Sequence, residues 1–327
     1  MKKVCVFGAG AVGGHIAARL AQAGVDVSVI ARGAHLKAMQ TSGLRLIAGT
    51  EDVTVPVRAS DTPADLGPQD LVISTLKAQA LGGVAAQMAP LLHDTTPVVY
   101  AVNGVPWWYF HGRVPDAATR LPRLDPDGAL WRHVGPARVL GCVIRSPNEL
   151  VEPGVIRSMT ATNRFLVGEL DGTLSPRLLD AVSVMKAGLP GAEATSDIRA
   201  DIWNKLLVNL PTSLLSSLTT STTKELIEDD GVRDLYVRIC QETCAIAARH
   251  GYPLPLDLNE QFGYVGKNAH RPSMLQDLLA GRPLELDAQL LAMQDLARQA
   301  EVPTPTIDIA VTLLAQRARS SFQASLR

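Results

Sequence analysis

The chain opens MKKVCVFGAGAVGG, Met1–Gly14, and the reading of this stretch decides the fold. Val4-Cys5-Val6-Phe7 is a short apolar run of strand character. It ends in Gly8-Ala9-Gly10-Ala11-Val12-Gly13, a G-x-G-x-x-G spacing, and a helix-like stretch, His15–Ala23, follows. Each glycine has its own physical task. Gly8 permits the tight turn off the strand, Gly10 removes the Cβ that would hold a pyrophosphate away, and Gly13 lets the helix pack close to the strand. The helix N-terminus then offers free N–H groups and a partial positive charge to phosphates. Strand, glycine turn and helix in this order predict a dinucleotide site built from Gly8, Ala9, Gly10, Ala11, Val12 and Gly13.

Val25-Asp26-Val27-Ser28-Val29-Ile30 alternates as the second strand. An NAD-selective site places a carboxylate near the end of that strand, on the ribose 2′-hydroxyl. Here the position reads Ala31-Arg32-Gly33. A guanidinium pairs with a 2′-phosphate through two hydrogen bonds and full charge complementarity, so Arg32 points to NADP(H).

A chain of 327 residues has room for two domains and a sizeable core. Its formal net charge of −1 gives no reason to expect nucleic acid or an acidic membrane surface. No apolar run reaches the ~18 residues of a membrane span. The first strand begins almost at the N-terminus, so no signal peptide is expected and the expected compartment is the cytoplasm. The four cysteines, Cys5, Cys142, Cys240 and Cys244, lack the paired spacing of a zinc site and read as small buried residues; no metal is expected.

The first half alternates strands and helices. Leu44–Ile47 and Asp52–Val57 read as short strands near an edge, Asp70–Leu76 and Pro97–Val102 as buried strands, and Ala80–Met88 as a helix between the latter two. Further strands are expected at Val139–Ile144, Gly154–Arg157 and Arg164–Gly168, and a helix at Ser175–Ala187. Such a series implies a parallel sheet covered by helices, with ligands beyond the carboxyl ends of the strands. Two strand ends stand out for this reason, Lys77 after Leu76 and Asn103-Gly104 after Val102. Between Val105 and Arg138 lies a long irregular segment with Pro106-Trp107-Trp108-Tyr109-Phe110 and, later, Trp131, so that three of the four tryptophans fall here. Two readings stay open: a functional loop, or a satellite core beneath the loop.

From about residue 196 the pattern becomes helical, with a first helix capped by Ser196 or Asp197 and running to Leu210, and others at Asp230–His250, Ser273–Ala280, Leu284–Ala300 and Thr306–Phe322. The expected fold class is therefore α/β, with a Rossmann-type doubly wound parallel sheet over residues 1–195 and an all-α domain over residues 196–327. The exposed faces of the helical half leave room for a homodimer, though no heptad seam argues for one.

Lysine is scarce, with eight against twenty-three arginines. One of the eight, Lys205, lies inside the first helix of the second half among apolar neighbours, and Asn209 follows at i+4 on the same face. Burial would make such a lysine usable as an acid or base; a snorkelling surface lysine is the plainer reading. Ser273-Met274-Leu275-Gln276-Asp277 and Glu285 form a second group, with Ser273 placed to cap a helix after Pro272.

Together these motifs resemble the ketopantoate reductase family, in the group with a C-terminal domain like that of 6-phosphogluconate dehydrogenase. Gly-Ala-Gly-Ala-Val-Gly at 8–13, Leu76-Lys77-Ala78, Asn103-Gly104, the stretch Ile198–Asn209, and Ser273–Asp277 with Glu285 twelve residues after Ser273 carry the likeness, in order. The resemblance implies NADPH-dependent reduction of 2-dehydropantoate (ketopantoate) to (R)-pantoate, on the route to pantothenate and coenzyme A. It implies that residues 8–13 and Arg32 hold the adenosine and phosphate part of NADP, with Lys77 and Asn103 near the nicotinamide ribose. Lys205 would be the general acid, Asn209, Ser273 and Asn103 would contact the substrate, and Glu285 would orient lysine and cofactor. The family usually carries a second substrate-contacting asparagine one turn beyond Asn209; here Ser213 holds that substrate-binding place. With the aromatic stretch, Ser213 keeps open an alternative, a D-2-hydroxyacid dehydrogenase acting on another branched or aromatic 2-oxo acid.

Overall fold

The computed structural model describes residues 2–113, 120–267 and 269–325, so the middle of the irregular segment, 114–119, lies outside the described residues. The chain divides into two compact units, Met1–Arg199 and Ala200–Arg327.

In the first unit, β1 (Lys3–Phe7) leads through the glycine turn to α1 (Ala11–Gln22), β2 (Asp26–Ile30), α2 (Gly33–Ser42), β3 (Leu44–Ala48), β4 (Glu51–Val55), β5 (Arg58–Ser60), β6 (Leu71–Ser74), α3 (Ala78–Val84) and β7 (Val98–Ala101). The irregular segment contains α4 (Ala129–His133), and after it come β8 (Val139–Arg145), β9 (Asn148–Glu152), β10 (Val155–Ser158), β11 (Arg164–Gly168), α5 (Pro176–Gly188) and β12 (Ala192–Thr195). The main sheet has eight strands in the order β12-β11-β8-β7-β6-β1-β2-β5. From β5 to β8 all neighbours are parallel, and β11 pairs antiparallel to β8. Taken in sequence, the six parallel strands have the winding of a Rossmann sheet. Its direction reverses between β1 and β6, where a crevice opens beyond the carboxyl ends. These central strands are buried on both faces, which is why they read as unbroken apolar runs.

The runs expected at the sheet edge instead build a separate four-stranded sheet, β4-β3-β10-β9. Each of β3, β4 and β10 has one apolar side, and Leu44, Leu46, Val55 and Ile156 are buried in one core with Ile16, Ala17 and Leu20 of α1. A half-buried strand needs a helix to cover it, and α1 does so; a Cβ on Gly14 would come within 2.7 Å of Ile156.

His15 sits in the same helix, 1 % exposed, stacked on Phe165 at 6.5 Å, and its Nδ1 has no hydrogen-bond partner among the described residues. Burial, aided by the charge of Arg19, pulls its imidazole down to about 4. The unfolded chain binds a proton below about pH 6.5 that the folded state refuses until about pH 4. Stability is therefore complete above that window and falls by ~3 kcal/mol as pH drops through it. Urea unfolding at steps across the window measures this, and His15→Leu should flatten the slope; an equally steep fall in the variant would assign the loss to other groups.

The second unit contains helices and, among its described residues, no strand. Here α6 (Ile198–Thr219), whose first two residues belong to the first unit, is followed by α7 (Thr223–Glu228), α8 (Asp230–Arg249), α9 (Leu258–Val265), α10 (Ser273–Leu279), α11 (Ala292–Gln299) and α12 (Pro305–Ser325). The sequence pattern ends α6 at Leu210, before Pro211, yet the helix runs on to Thr219. Proline removes the donor for the Leu207 carbonyl, and the Cys240 thiol of α8 supplies one, Sγ to O 3.6 Å. Buried Leu214 and Leu215 then hold the continuation in place. Cys5, Cys142 and Cys240 are buried, and burial pushes the Cys5 and Cys240 thiols up to about 12. Among the described residues no helix is long and apolar enough to cross a membrane.

Candidate active site

Gly8 follows β1 directly with φ +103°, a conformation open to glycine at little cost. Its N–H donates to the Ile30 carbonyl at 3.0 Å, and its own carbonyl accepts the Thr75 hydroxyl. A Cβ on Gly13 would overlap both the Gly8 carbonyl and Thr75 Oγ1, so α1 can approach the strand only with glycine there. Gly10 is the opposite case. It is exposed, and nothing lies within 4 Å of where its Cβ would be. The first turn of α1 carries no acidic residue and no side-chain cap. The result is an open cradle at a helix N-terminus, suited to a pyrophosphate.

The other first-unit candidates lie on the same carboxyl edge. Arg32 is exposed just past β2, its Nη2 donating to Gln87 Oε1 at 3.2 Å. Lys77 is exposed at the start of α3, after β6. Asn103, half-buried, follows β7 and precedes Gly104, which has φ +82°.

The aromatic stretch is packed inside the first unit. Trp107, Trp108, Tyr109 and Phe110 are all buried. The Trp107 ring meets Tyr100 and Trp131 edge-on at 5.8 and 5.7 Å. Trp108 packs against Gly141, where a Cβ would come within 2.8 Å, and lies under the Arg199 guanidinium at 5.7 Å. Arg199, itself buried, donates to the carbonyls of Tyr109 (2.8 Å), His111 (2.6 Å) and Leu170. Of the two open readings the satellite core is the one the structure shows.

In the second unit, Lys205 and Asn209 are half-buried on α6 and Ser213 is buried. At about 100° per residue they fall on one face, and Ser213 stands ~12 Å along the axis from Lys205. Trp203, fully buried and stacked on His250 at 6.1 Å, fixes the rotation of this turn. Ser273 is exposed as the first residue of α10, not its cap. Pro272 takes the cap position, its φ of −55° set by the ring, and no side chain caps the helix. Glu285, 8 % exposed, accepts from Gln289 Nε2 at 3.1 Å just before a π-helical turn, Asp287–Leu291. Such turns recur at functional sites.

The sequence reading missed Thr75, which grips Gly8, and His35, whose ring bonds the Ala9 carbonyl at 2.6 Å. Neither has a local signal, because each contact joins residues far apart in the chain.

Sheet order and glycine turn, followed by a second unit that is all-α among its described residues, define the class: an α/β protein of Rossmann type with a helical second unit. The family description "Ketopantoate reductase PanE/ApbA" matches residues 4–172, and its "C terminal" counterpart matches 197–318. The chain belongs to the ketopantoate reductase family. It is 46 % identical over 318 residues to a Mesorhizobium japonicum protein named 2-dehydropantoate 2-reductase, covering 95 % of this chain and 96 % of that one. A Ralstonia solanacearum structure, named provisionally as a ketopantoate reductase, superposes with TM-score 0.92 at 39 % identity over 98 % of this chain and 99 % of the other. A D-mandelate dehydrogenase solved with NADH and anilino(oxo)acetate shares the fold, with TM-score 0.82 at 19 % identity, over 98 % of this chain and 99 % of that one.

Proposed function

We propose that this chain reduces ketopantoate to (R)-pantoate with NADPH, feeding pantothenate and coenzyme A synthesis. The observation that carries the reading is the likeness to the Mesorhizobium protein, which runs across both units. In this reading residues 1–195 hold the cofactor and residues 196–327 hold the substrate and the proton donor.

The residues present suit the cofactor: the cradle over Gly10 is open, and a cation rather than a carboxylate follows β2. When bound, the nicotinamide supplies the hydride. Gly8–Gly13 receive the pyrophosphate on backbone N–H groups, and Lys77 and Asn103 take the nicotinamide ribose, with Asn103 also reaching the substrate. Lys205 donates a proton to the C2 oxygen as negative charge grows there, an interaction stronger in the transition state than before it. Asn209 and Ser213 bond the hydroxyl end, Ser273 the carboxylate, and Glu285, steadied by Gln289, orients the lysine.

Arg32 reads the 2′-phosphate. Arg32→Ala should raise KM for NADPH about tenfold, the scale of a lost charge-assisted hydrogen bond, and leave KM for NADH nearly unchanged. Steady-state kinetics with both cofactors check this; equal changes would separate Arg32 from the phosphate.

The second reading, a D-2-hydroxyacid dehydrogenase for another 2-oxo acid, now rests on Ser213 alone, since the aromatic stretch is core. Serine is shorter than asparagine and has one donor fewer, so a larger or less polar substrate end fits beside it.

A further inference from the structure

The imidazole of His35, half-buried in α2, is bonded on both sides. Its Nδ1 accepts the backbone N–H of Gly154 at 2.8 Å, and its Nε2 lies 2.6 Å from the carbonyl oxygen of Ala9. A ring nitrogen that accepts a hydrogen bond carries no proton, so the proton sits on Nε2 and is donated to Ala9. The two bonds thus select one neutral tautomer.

The far anchor is firm. Gly154 closes the β9–β10 hairpin with φ +83°, its carbonyl accepts the Arg45 N–H at 2.8 Å, and a Cβ on it would come within 3.0 Å of Ala38. The near end is the glycine turn. In a planar trans peptide the C=O of one residue and the N–H of the next point in opposite directions. Holding the Ala9 carbonyl toward His35 therefore turns the Gly10 N–H away from it, and Gly10 is exposed with open space where a Cβ would stand.

We propose that His35 is a positioning residue for the cofactor: through the Ala9 carbonyl it sets the Ala9–Gly10 peptide plane so that the Gly10 N–H faces the pyrophosphate of a bound dinucleotide. The proposal rests on the dinucleotide reading of the glycine turn and goes beyond it, because it gives a role to a side chain outside that turn. A peptide plane that must rotate on binding costs affinity, and one held in place does not.

Glutamine can place an N–H donor where Nε2 stands but loses the Gly154 bond. Asparagine can keep an acceptor where Nδ1 stands but cannot reach Ala9. The test compares His35→Gln, His35→Asn and His35→Ala with the unmutated protein. NADPH Kd is measured by calorimetry and Tm by circular dichroism. His35→Asn and His35→Ala should weaken NADPH about tenfold, and His35→Gln should stay within about threefold, as one hydrogen bond is worth. In all of them kcat at saturating NADPH and KM for the oxo acid should hold, since only uniform cofactor binding is lost. Gln and Asn each give up one bond, so their Tm values should fall alike while their Kd values part.

Kd values that follow Tm, or an Asn variant binding as tightly as the unmutated protein, would leave His35 a structural tie and overturn the proposal. So would a ¹⁵N spectrum showing the proton on Nδ1. An unmutated protein that binds no NADPH would remove the dinucleotide reading and this proposal with it; tight binding that is indifferent to His35 would remove the proposal alone.

Discussion

Lys205→Ala should lower turnover at least about a hundredfold, the scale on which a general acid contributes. Lysine is used sparingly in this chain, at eight of thirty-one cationic residues, and this one stands half-buried in a helix of largely apolar neighbours. The turn that carries it is fixed by Trp203 on His250, and Asn209 shares its face. In the proposed reaction the ammonium would meet the growing alkoxide with little reorganisation, and its proton would leave with the product. Lys205→Arg is the sharper comparison. It keeps the charge, but guanidinium gives up its proton far less readily, so kcat should stay low while charge-based binding is retained. KM for NADPH should change little in either variant. Steady-state kinetics, with circular dichroism to confirm folding, decide the matter; turnover unchanged in Lys205→Ala would take this residue out of the mechanism.

Trp107→Ala should destabilise the fold by ~3–5 kcal/mol, as expected when a large aromatic leaves a packed core. The ring is 2 % exposed and wedged edge-on between Tyr100 and Trp131. Tyr100 is itself buried on β7, so one wall of the cavity left behind belongs to the sheet core. Among the described residues the indole N–H has no partner, so its loss orphans no acceptor among them. Denaturant unfolding measures the effect. The ranking among 2-oxo acids should stay as it is, because this ring packs on first-unit core residues; a changed ranking in the folded variant would put Trp107 at the substrate.

What could be read from the sequence followed from range. The glycine turn was legible because its constraints are local: a φ of +103° at Gly8 and a forbidden Cβ at Gly13 leave the same residue type at each position. Lys77 and Asn103 were legible as strand ends, since carboxyl edges of parallel strands collect ligands. The second sheet was not. Val155 pairs with Arg45 across more than a hundred residues, and nothing near either strand states that register. Nor could the helix past Pro211 be read, because its missing donor arrives as a thiol from another helix. The aromatic stretch could be read from the sequence as a functional loop or as a satellite core, and only burial and packing distances decided for core. For the roles of Lys205, Asn209, Ser213, Ser273 and Glu285, motif spacing carried more than helix physics, which by itself also allowed a surface lysine and two caps.

The most direct measurement is the initial rate of NADPH oxidation by the purified protein across a panel of 2-oxo acids that includes ketopantoate. The account predicts efficient turnover of ketopantoate with the other acids far behind, and pantoate formed in equal amount to the NADPH consumed. A marked preference for a bulkier or aromatic 2-oxo acid, with ketopantoate among the poorest substrates, would contradict it and make Ser213 the mark of a different 2-hydroxyacid dehydrogenase.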